Sequence, residues 1–481
     1  MRAVVIGAGV GGLSAALALA KEGLEVTVLE AQAYPGGLAG TFFHRGFLFD
    51  AGATLLGGLE LMEAVGIPLP FPPLPEGTPL VRVRSPRGEV VRPIGRKAEK
   101  EALGSAFGRE VLPFLQWQEG RAERLWRLAP HLPFPPAHPR EWEALLKALP
   151  ALLPLLPEAF LPLSHYAPRV GWFPLFLQGQ ALISAQTGDP YALYGAAALD
   201  LPHRGVALPQ GGMGEVSRTL ERALHARGGR VLYRHRAVGL EVEGRRVKGV
   251  VALHRKEEVR LPGEVFLANH PPWDLARLRF FIRNDREGRP LGRKAPPEDA
   301  WGAFALYAGV AEEVLTHPAP YHQWLGEGPW VFLSIAPPER GPKGFRAVTL
   351  SLHTPLRLWR GLSPEEYERL KALHLEAALR GAERLFPGFR EACRLLLPAT
   401  PLTYERYTGR TLGFAGGFPQ RHPFRFRSPK TPLANLFLVG EALFPGQSVP
   451  AVALGGVRAA RLALETLRVA QPATPQEEKG W

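Results

Sequence analysis

The sequence contains a single cysteine, Cys393, among its 481 residues. One thiol excludes an intramolecular disulfide and any metal site made of several cysteines, and it suits a reducing compartment such as the cytoplasm. The sequence also lacks a nucleophile elbow, a metal-ligand spacing and a pair of carboxylates in a catalytic context. We therefore predict no bound metal and no hydrolytic chemistry carried by side chains alone.

An uninterrupted apolar run of the length that crosses a bilayer, about 20 residues, is missing as well. The segment 148–168 has one charged residue, Glu158, but its prolines at positions 150, 154, 157, 162 and 168 are too close together for one regular helix. Together with the apolar stretch 170–177 it supplies a long aromatic surface near Arg169. This surface is either buried core, the wall of a hydrocarbon tunnel, or a patch that dips into one membrane leaflet.

Acidic residues are outnumbered, since 45 Asp and Glu face 58 Lys and Arg, which gives a net charge of +13. Only 11 of the cations are lysines, and this bias towards arginine fits a heat-adapted organism or a GC-rich genome. The basic surplus alternatively favours an anionic surface such as lipid headgroups. Because the arginines are scattered and no nucleic-acid motif occurs, we predict that nucleic acid is not a partner.

The apolar N-terminus resembles an export signal, but Gly7, Gly9, Gly11 and Gly12 interrupt it. A strand over 3–6, a helix over 11–21 and a strand over 25–30 instead predict a β–α–β unit. The Gly-x-Gly-x-x-Gly turn of this unit lets a pyrophosphate approach the helix N-terminus, and Glu30 can accept hydrogen bonds from both ribose hydroxyls. An acid there disfavours a 2′-phosphate, so the sequence predicts FAD or NAD rather than NADP.

Further glycine-rich segments follow along the chain. Gly36-Gly37 precedes a predicted hairpin over 42–50, and near the other end a strand over 435–439 runs into Gly440-Glu441. A helix then extends from about Val449 to Leu467. Between these regions the predicted elements are Gly211-Gly212-Met213, a helix over 215–226, and strands over 230–233, 237–242, 247–253 and 265–268.

The segments 7–54, 211–213 and 436–464 resemble the phytoene desaturase family of FAD-dependent carotenoid desaturases and isomerases, within the wider amine-oxidase-like flavoproteins. The resemblance implies an α/β fold, with a Rossmann-like FAD-binding domain of the two-dinucleotide-binding-domain type and an interleaved α+β substrate domain. The amino-acid sequences of 36–41, 415–419 and 444–448 resemble those of later-acting desaturases and carotenoid isomerases more than those of bacterial phytoene desaturases. The boundaries that we predict are 1–95, 205–270 and 409–470 for the FAD-binding domain, 96–204 and 271–408 for the substrate and membrane-contact domain, and 471–481 for a flexible tail.

The resemblance also assigns residues to FAD. Gly440 and Glu441 are placed near the pyrophosphate and ribityl chain, and the N–H groups of 449–452 face the flavin pyrimidine, where a helix dipole stabilises the charge of the reduced ring. Val238 contacts the adenine through its backbone. Many relatives have a basic residue where this chain has Leu38, which removes one charge contact to the nucleotide. The predicted FAD-binding residues are Gly7, Gly9, Gly11, Gly12, Glu30, Gly36, Gly37, Leu38, Ala39, Gly52, Ala53, Thr54, Val238, Gly440, Glu441, Gly446, Val449, Pro450, Ala451 and Val452.

The function that the resemblance implies is carotenoid desaturation, in which the flavin removes a hydride, the neighbouring carbon loses a proton, and a quinone or oxygen accepts the electrons. The alternatives are a carotene cis–trans isomerase without net redox change, a soluble amine oxidase, and a non-catalytic isoprenoid carrier that holds FAD. A covalent flavin link of the amine oxidase type requires a cysteine near the C-terminal flavin segment, and Cys393 precedes that segment by about 50 residues.

A carotene dissolves in the bilayer, so we expect a hydrophobic isoprenoid substrate and a cytoplasmic protein that is peripherally attached to the inner face of the cell membrane. No catalytic side chain is assigned. His270 is expected to be a capped or solvated loop residue, while Glu405, Arg406 and Arg410 either line the pocket rim or form surface ion pairs. The aromatic candidates to face a cationic polyene are Trp172, Phe173, Tyr191, Tyr194, Trp301, Tyr307 and Trp324.

Overall fold

The computed structural model describes residues 1–282, 289–290 and 295–470, so the predicted flexible tail at 471–481 lies outside the described residues. Strands and helices are numbered in chain order. Within the described ranges, no helix is both long enough and apolar enough to cross a membrane.

One parallel sheet contains segments from both ends of the chain. Its strand order is β21–β13–β1–β2–β9, and β1 pairs with β2 on one side and with β13 on the other. Buried valine, leucine and alanine side chains on its two faces explain the near-continuous apolar pattern of these strands. This arrangement confirms the Rossmann-like α/β class. The strands are β1 (Arg2–Ile6), β2 (Glu25–Leu29), β9 (Arg230–Leu232), β13 (Val265–Ala268) and β21 (Leu436–Leu438).

Three helices pack on this parallel sheet and form one core with it. They pack closely because small residues meet at the contacts: a Cβ on Gly456 would overlap the carbonyl oxygen of Gly11. The helices are α1 (Val10–Lys21), α9 (Gly214–His225) and α13 (Val449–Ala470).

A second sheet of five strands adjoins the first and has the order β12–β11–β10–β14–β15. The strand β12 was not predicted from the sequence, because its alternating charged residues face solvent. The register of β10 against β11 shifts between Ala237 and Gly239, so Val238 occupies a β-bulge. The strands are β10 (His235–Glu243), β11 (Arg246–His254), β12 (Glu257–Pro262), β14 (Arg279–Ile282) and β15 (Arg289–Pro290).

The third sheet has seven strands in the order β20–β16–β19–β18–β17–β6–β7. Tyr321 of β17 pairs with Val81 of β6 in parallel register, so β6 and β7 belong to this sheet and not to the nucleotide sheet. The boundary predicted at residue 95 is wrong for these two strands, because β7 pairs with β6, and β17, the other partner of β6, lies more than 200 residues later in the chain. The strands are β6 (Pro79–Ser85), β7 (Gly88–Pro93), β16 (Trp301–Ala311), β17 (Tyr321–Trp324), β18 (Val331–Ile335), β19 (Phe345–Pro355) and β20 (Cys393–Ala399).

Two short pairs complete the strands. The predicted hairpin over 42–50 is confirmed as β3 (Thr41–His44) and β4 (Phe47–Asp50), joined at Arg45-Gly46. The second pair, β5 (Leu56–Gly57) with β8 (Val206–Ala207), joins the early chain to the segment before α9.

Of the remaining helices, α11 packs on the seven-stranded sheet, α2 packs on α13, and the helices between residues 96 and 200 build a helical layer. The two apolar segments differ in burial: 170–177 contributes buried core around Phe173 and Phe176, whereas most of 148–160 is exposed or half-buried, with Leu155 and Glu158 buried. The helix α5 contains Pro150 and ends at Leu152, as the proline spacing predicts. The helices are α2 (Leu59–Ala64), α3 (Arg96–Phe107), α4 (Leu112–Leu128), α5 (Pro139–Leu152), α6 (Leu156–Phe160), α7 (Phe173–Ala185), α8 (Ala192–Asp200), α10 (Pro272–Leu275), α11 (Pro364–Leu385) and α12 (Pro401–Thr408).

Candidate functional site

One large cavity, with a volume of about 1010 Å³, lies between the glycine loop of β1–α1 and the seven-stranded sheet. All the predicted FAD-binding residues line it except Gly12 and Gly446. A Cβ on Gly12 would overlap the carbonyl oxygen of Gly7, so this glycine permits the close contact of helix and strand. Gly446 lies behind the wall, where an added Cβ would be 3.0 Å from the hydroxyl of Tyr194.

The glycine loop presents unpaired backbone N–H groups to the cavity. Gly9 is the N-cap of α1, and no side chain among the described residues caps this helix. A Cβ on Gly9 would lie 2.7 Å from Nδ2 of Asn269, so a side chain here would fill the space beside the helix N-terminus. Free N–H groups together with the helix dipole make an anion site. Asn269 was not identified from the sequence, because only the end of β13 brings it to this loop.

Glu30 lies at the end of β2 and faces the same cavity. Its Oε2 accepts from the N–H of Ala8 at 2.8 Å, and its Oε1 accepts from the N–H of Gln32 at 2.8 Å. Burial raises the pKa of Glu30, although these backbone N–H groups favour the ionised form. The carboxylate is therefore fixed beside the loop and retains lone pairs for further donors.

Two polar residues from the sequence analysis line the cavity: Arg410, as its pocket-rim interpretation predicts, and His270, which was expected to be a capped or solvated loop residue. Arg410, which follows α12, is mostly buried and forms an ion pair with Glu441, and both residues line the cavity. His270 also lines the cavity, where burial and the nearby Arg410 lower its pKa to about 4. These residues therefore belong to the site. No spacing pattern links them, because Arg410 and His270 come from different segments of the chain.

Arg410 provides a positive charge in the cavity. Many relatives have a basic residue at the position of Leu38, where this chain has none. Nη1 of Arg410 donates to Glu441 and to the carbonyl oxygen of Phe414 at 3.3 Å. Among the described residues, its Nε and Nη2 have no hydrogen-bond partner. The bonds of Nη1 therefore orient the guanidinium, and the N–H groups of Nε and Nη2 are left to donate to a ligand.

Hydrogen bonds from α12 and from the seven-stranded sheet fix the loop 51–54, of which residues 52–54 line the cavity. The hydroxyl of Tyr404 donates to the carbonyl oxygen of Ala51 at 2.8 Å, and Tyr307 donates to the same oxygen. Ser334 donates to the hydroxyl of Thr54 at 2.8 Å, and Tyr321 donates to the Thr54 carbonyl oxygen at 2.7 Å. The loop is thus held by side chains that come from distant parts of the sequence.

An apolar extension of the cavity, which we call the apolar arm, runs into the helical layer. Of the aromatic candidates from the sequence, Tyr191 and Tyr194 line it, whereas Trp172, Phe173, Trp301, Tyr307 and Trp324 are outside the cavity wall. The residues of the apolar arm include Leu125, Trp126, Leu132, Phe134, Leu152, Leu155, Phe160, Tyr191, Tyr194, Phe424, Phe426 and Phe444.

The apolar arm ends at an exposed apolar surface, the mouth patch. None of the residues of α5 is buried, and the rings of Phe160 and Phe424 are 6.0 Å apart at its edge. The members of the patch are between 42% and 68% exposed, and four of them, Leu149, Leu156, Phe160 and Phe424, also line the cavity. The mouth patch consists of Trp142, Leu146, Leu149, Leu153, Leu156, Phe160 and Phe424.

The residues present fit a dinucleotide-bound flavin. The glycine loop offers an anion site, the Glu30 carboxylate stands beside it, and the bulge turns Val238 to the same space. The N-terminus of α13 faces the cavity from the opposite end of the chain. Cys393 is absent from the cavity wall, and its thiol donates to the Phe389 carbonyl oxygen at 3.1 Å, so it is not placed to bond a flavin.

Comparisons with known proteins agree with this architecture. Residues 10–464 match the family described as flavin containing amine oxidoreductase. Prolycopene isomerase 1 of an Oncidium hybrid cultivar is 26% identical over 95% of this chain and 83% of its own length. The neurosporene-forming phytoene desaturase of Cereibacter sphaeroides is 25% identical over 99% of this chain and 97% of its own.

A solved structure shares the fold. Cyclohexylamine oxidase from Brevibacterium oxydans aligns with a TM-score of 0.55 at 16% sequence identity, over 97% of this chain and 99% of the oxidase. The family match spans nearly the whole chain and includes both halves of the cavity. The resemblance to carotenoid desaturases and isomerases is confirmed, and this chain is an oxidoreductase that belongs to the flavin-containing amine oxidoreductase family.

Proposed function

We propose that the protein is a FAD-dependent carotenoid desaturase that acts on a CH–CH bond of a polyene dissolved in a membrane. The observation that carries the proposal is the apolar arm, which connects the mouth patch with the space beside the glycine loop. A long hydrocarbon fits such a channel, whereas a short charged amine would leave most of the apolar wall of the arm without a contact. Relatives named phytoene desaturase and prolycopene isomerase support the same class of substrate.

FAD is the form of flavin that the site supports. Glu30 and Val238 line the end of the cavity where the adenosine half of FAD would lie. A carboxylate that is fixed by two backbone N–H groups is suited to accept from ribose hydroxyls. Bound FAD supplies the hydride acceptor, with a quinone or oxygen as the final oxidant.

The side chains of the apolar arm bind the polyene, orient it and exclude water. Tyr191 and Tyr194 are buried there, and burial raises the pKa of both hydroxyls, so these rings stay neutral. Aromatic faces stabilise positive charge that develops on a polyene when hydride leaves. With water excluded, a reactive carbocation is protected from hydration.

The mouth patch supports attachment to a membrane surface. Trp142, Leu146 and Leu149 occupy positions i, i+4 and i+7 of α5, so their side chains share one exposed face. A helix of this kind lies in the lipid interface with its apolar face inserted. We propose that the patch rests on the inner leaflet of the cell membrane, so that a carotene enters the apolar arm without crossing water.

A carotene cis–trans isomerase is the second candidate. It is favoured by the relatives named prolycopene isomerase, of which one is 26% identical over 95% of this chain. An isomerase would use the same apolar arm and flavin site but would leave the flavin in its starting redox state.

The test is an anaerobic incubation of the FAD-loaded protein with lycopene or a cis-carotene in phosphatidylcholine vesicles, followed by absorption spectroscopy and pigment chromatography. A longer chromophore with bleaching of the flavin is expected for a desaturase, and a change of isomer without net bleaching would identify the isomerase. If cyclohexylamine or putrescine bleaches the flavin and no carotene is altered, both proposals fail. The variant Ala159→Trp should obstruct the arm and lower turnover, and Ala151→Trp, an exposed position outside the cavity wall, serves as its matched control.

A further inference from the structure

A hydrogen-bond acceptor without a donor lies in the wall of the cavity. Gln186 is 6% exposed, and its side-chain oxygen Oε1 is buried without a partner among the described residues. Gln186 lines the cavity together with Gln447 and Ser448, which immediately precede α13. A buried polar atom that lacks a partner is costly, and at a ligand site it indicates that the ligand supplies the partner.

The hydrogen-bond network shows that the unpaired atom is an acceptor. The carbonyl oxygen of Ile183 can only accept, and Nε2 of Gln447 donates to it at 3.2 Å. The Gln447 amide therefore presents Oε1 to Gln186, whose Nε2 donates to it at 3.2 Å. This chain of donors runs in one direction and leaves Oε1 of Gln186 as the free end.

The backbone around this pair is arranged to keep the amide in place. Gln186 is the C-cap of α7 and has the left-handed conformation, with φ of 56°, where a side chain is disfavoured and glycine is usual. Gly416, with φ of +82°, lies against the amide, and a Cβ at this position would overlap Nε2 of Gln186. Such strain is retained where the side chain has a function in a site.

We propose that Oε1 of Gln186 accepts a hydrogen bond from N3–H of the flavin ring, an assignment that rests on the proposed FAD function. The pyrimidine edge of a flavin presents an acceptor, a donor and an acceptor in sequence: two carbonyl oxygens on either side of N3–H. Val449, the first residue of α13, lines the cavity and offers its N–H to one of the carbonyl oxygens, whereas Pro450 has no N–H and those of Ala451 and Val452 donate to Ser448. Oε1 of Gln186 matches the donor, N3–H, beside that carbonyl oxygen. Gln447 is a positioning residue that orients the Gln186 amide.

The experiment compares binding of FAD and N3-methyl-FAD, which cannot donate at this position, to the apoprotein of full chain length. In the wild type we expect N3-methyl-FAD to bind at least tenfold more weakly than FAD. In Gln186→Leu we expect FAD to bind about tenfold more weakly and the ratio between the two flavins to fall below threefold. Dissociation constants are measured by flavin fluorescence, and the melting temperature of each apoprotein shows whether the variant is folded.

Gln420→Leu is the matched control. Gln420 is 1% exposed and also has an unpaired buried Oε1, but it is outside the cavity wall. This variant should retain the wild-type ratio. Gln447→Leu should lower the ratio partially, because the amide of Gln186 loses its orientation.

The outcomes separate this inference from the proposed function. If wild type binds FAD and N3-methyl-FAD equally, or if Gln186→Leu weakens both flavins by the same factor, the assignment of Gln186 is wrong while the FAD function stands. If wild type binds neither flavin, the proposed function fails together with this inference.

Discussion

The guanidinium of Arg340 donates to the carboxylate of Asp50 at 2.7 Å, and both side chains are buried. The other oxygen of Asp50 accepts from the hydroxyl of Thr41 at 2.9 Å and from the N–H of Met213 at 2.7 Å. Arg340 also donates to the carbonyl oxygens of Pro209 and Gln210. This pair thus joins the hairpin β3–β4 to the Gly211-Gly212-Met213 turn and to the seven-stranded sheet.

The first prediction concerns this pair. Asp50→Asn leaves the buried Arg340 without its counter-charge, so we expect the free energy of unfolding to fall by about 3 kcal/mol. Urea denaturation measures the change. Glu376→Gln breaks the half-exposed pair with Arg390 and should cost less than about 1 kcal/mol. Equal losses in the two variants would contradict the structural role of Asp50.

Glu30 should control the affinity for FAD and its pH dependence. Glu30→Gln removes a charged acceptor at the ribose, so we expect about tenfold weaker binding, or ~1.4 kcal/mol. Because burial raises the pKa of Glu30, the wild-type carboxylate takes up a proton at a higher pH than an exposed glutamate does. FAD affinity should therefore fall as the medium becomes mildly acidic, and Glu30→Gln should flatten this profile. Glu25→Gln, an exposed change on the same strand, is the control.

Arg410 should contribute positive charge to the nucleotide site, where position 38 has none. The variant Arg410→Met is expected to weaken FAD by about tenfold. Riboflavin, which carries no phosphate, should be affected much less, and fluorescence titration of both flavins measures the difference. Arg406→Met changes an exposed arginine on the preceding helix, α12, and should leave both affinities unchanged. An equal loss for the two flavins would argue against a contact with phosphate.

The mouth patch should bind lipid. The double variant Trp142→Glu and Leu146→Glu introduces two charges on the exposed face of α5, outside the cavity wall. We expect sedimentation with anionic vesicles to fall at least fivefold, since burial of these side chains contributes about 1.5–3 kcal/mol each. FAD content should not change. Leu373→Glu alters an equally exposed leucine on α11, and a similar loss there would contradict a localised patch.

The buried cluster of Glu99, Arg92 and His203 should make the free energy of unfolding depend on pH. Burial raises the pKa of Glu99, but Arg92 and His203 outweigh it and hold the pKa at about 2. Arg92 donates to Glu99 at 2.6 Å, and His203 lies 2.7 Å from its other oxygen. The folded pKa is below the unfolded value, so the stabilisation is complete above pH ~4.5 and is lost as the pH falls towards 2.

This contribution is about 3 kcal/mol, since each unit of pKa corresponds to about 1.4 kcal/mol. Urea unfolding at several values of pH between 5 and 3 measures the slope. Glu99→Gln cannot take up the proton, so its free energy of unfolding should depend less steeply on pH in this interval. Identical slopes for the two proteins would show that other carboxylates dominate.

Local sequence patterns predicted the nucleotide half of the molecule well. The β1–α1–β2 unit, the hairpin and the helix α13 follow from glycine spacing and apolar periodicity, which operate over short distances. The pairing of β6 with β17 did not follow, because a strand pattern does not specify its partner. His270 was misjudged, Gln186 was missed, and Arg410 was left between the pocket rim and a surface ion pair, because the role of each depends on cavity neighbours from other segments.

The parallel sheet has a consequence for synthesis of the protein. Its central strand β1 is made before the other strands of the sheet, while β21 and α13, which complete the flavin site, follow more than four hundred residues later. Contacts of such sequence separation form slowly. The β1–α1–β2 unit is therefore made before the segments that cover it, and we expect the flavin site to be completed only in chains that include α13.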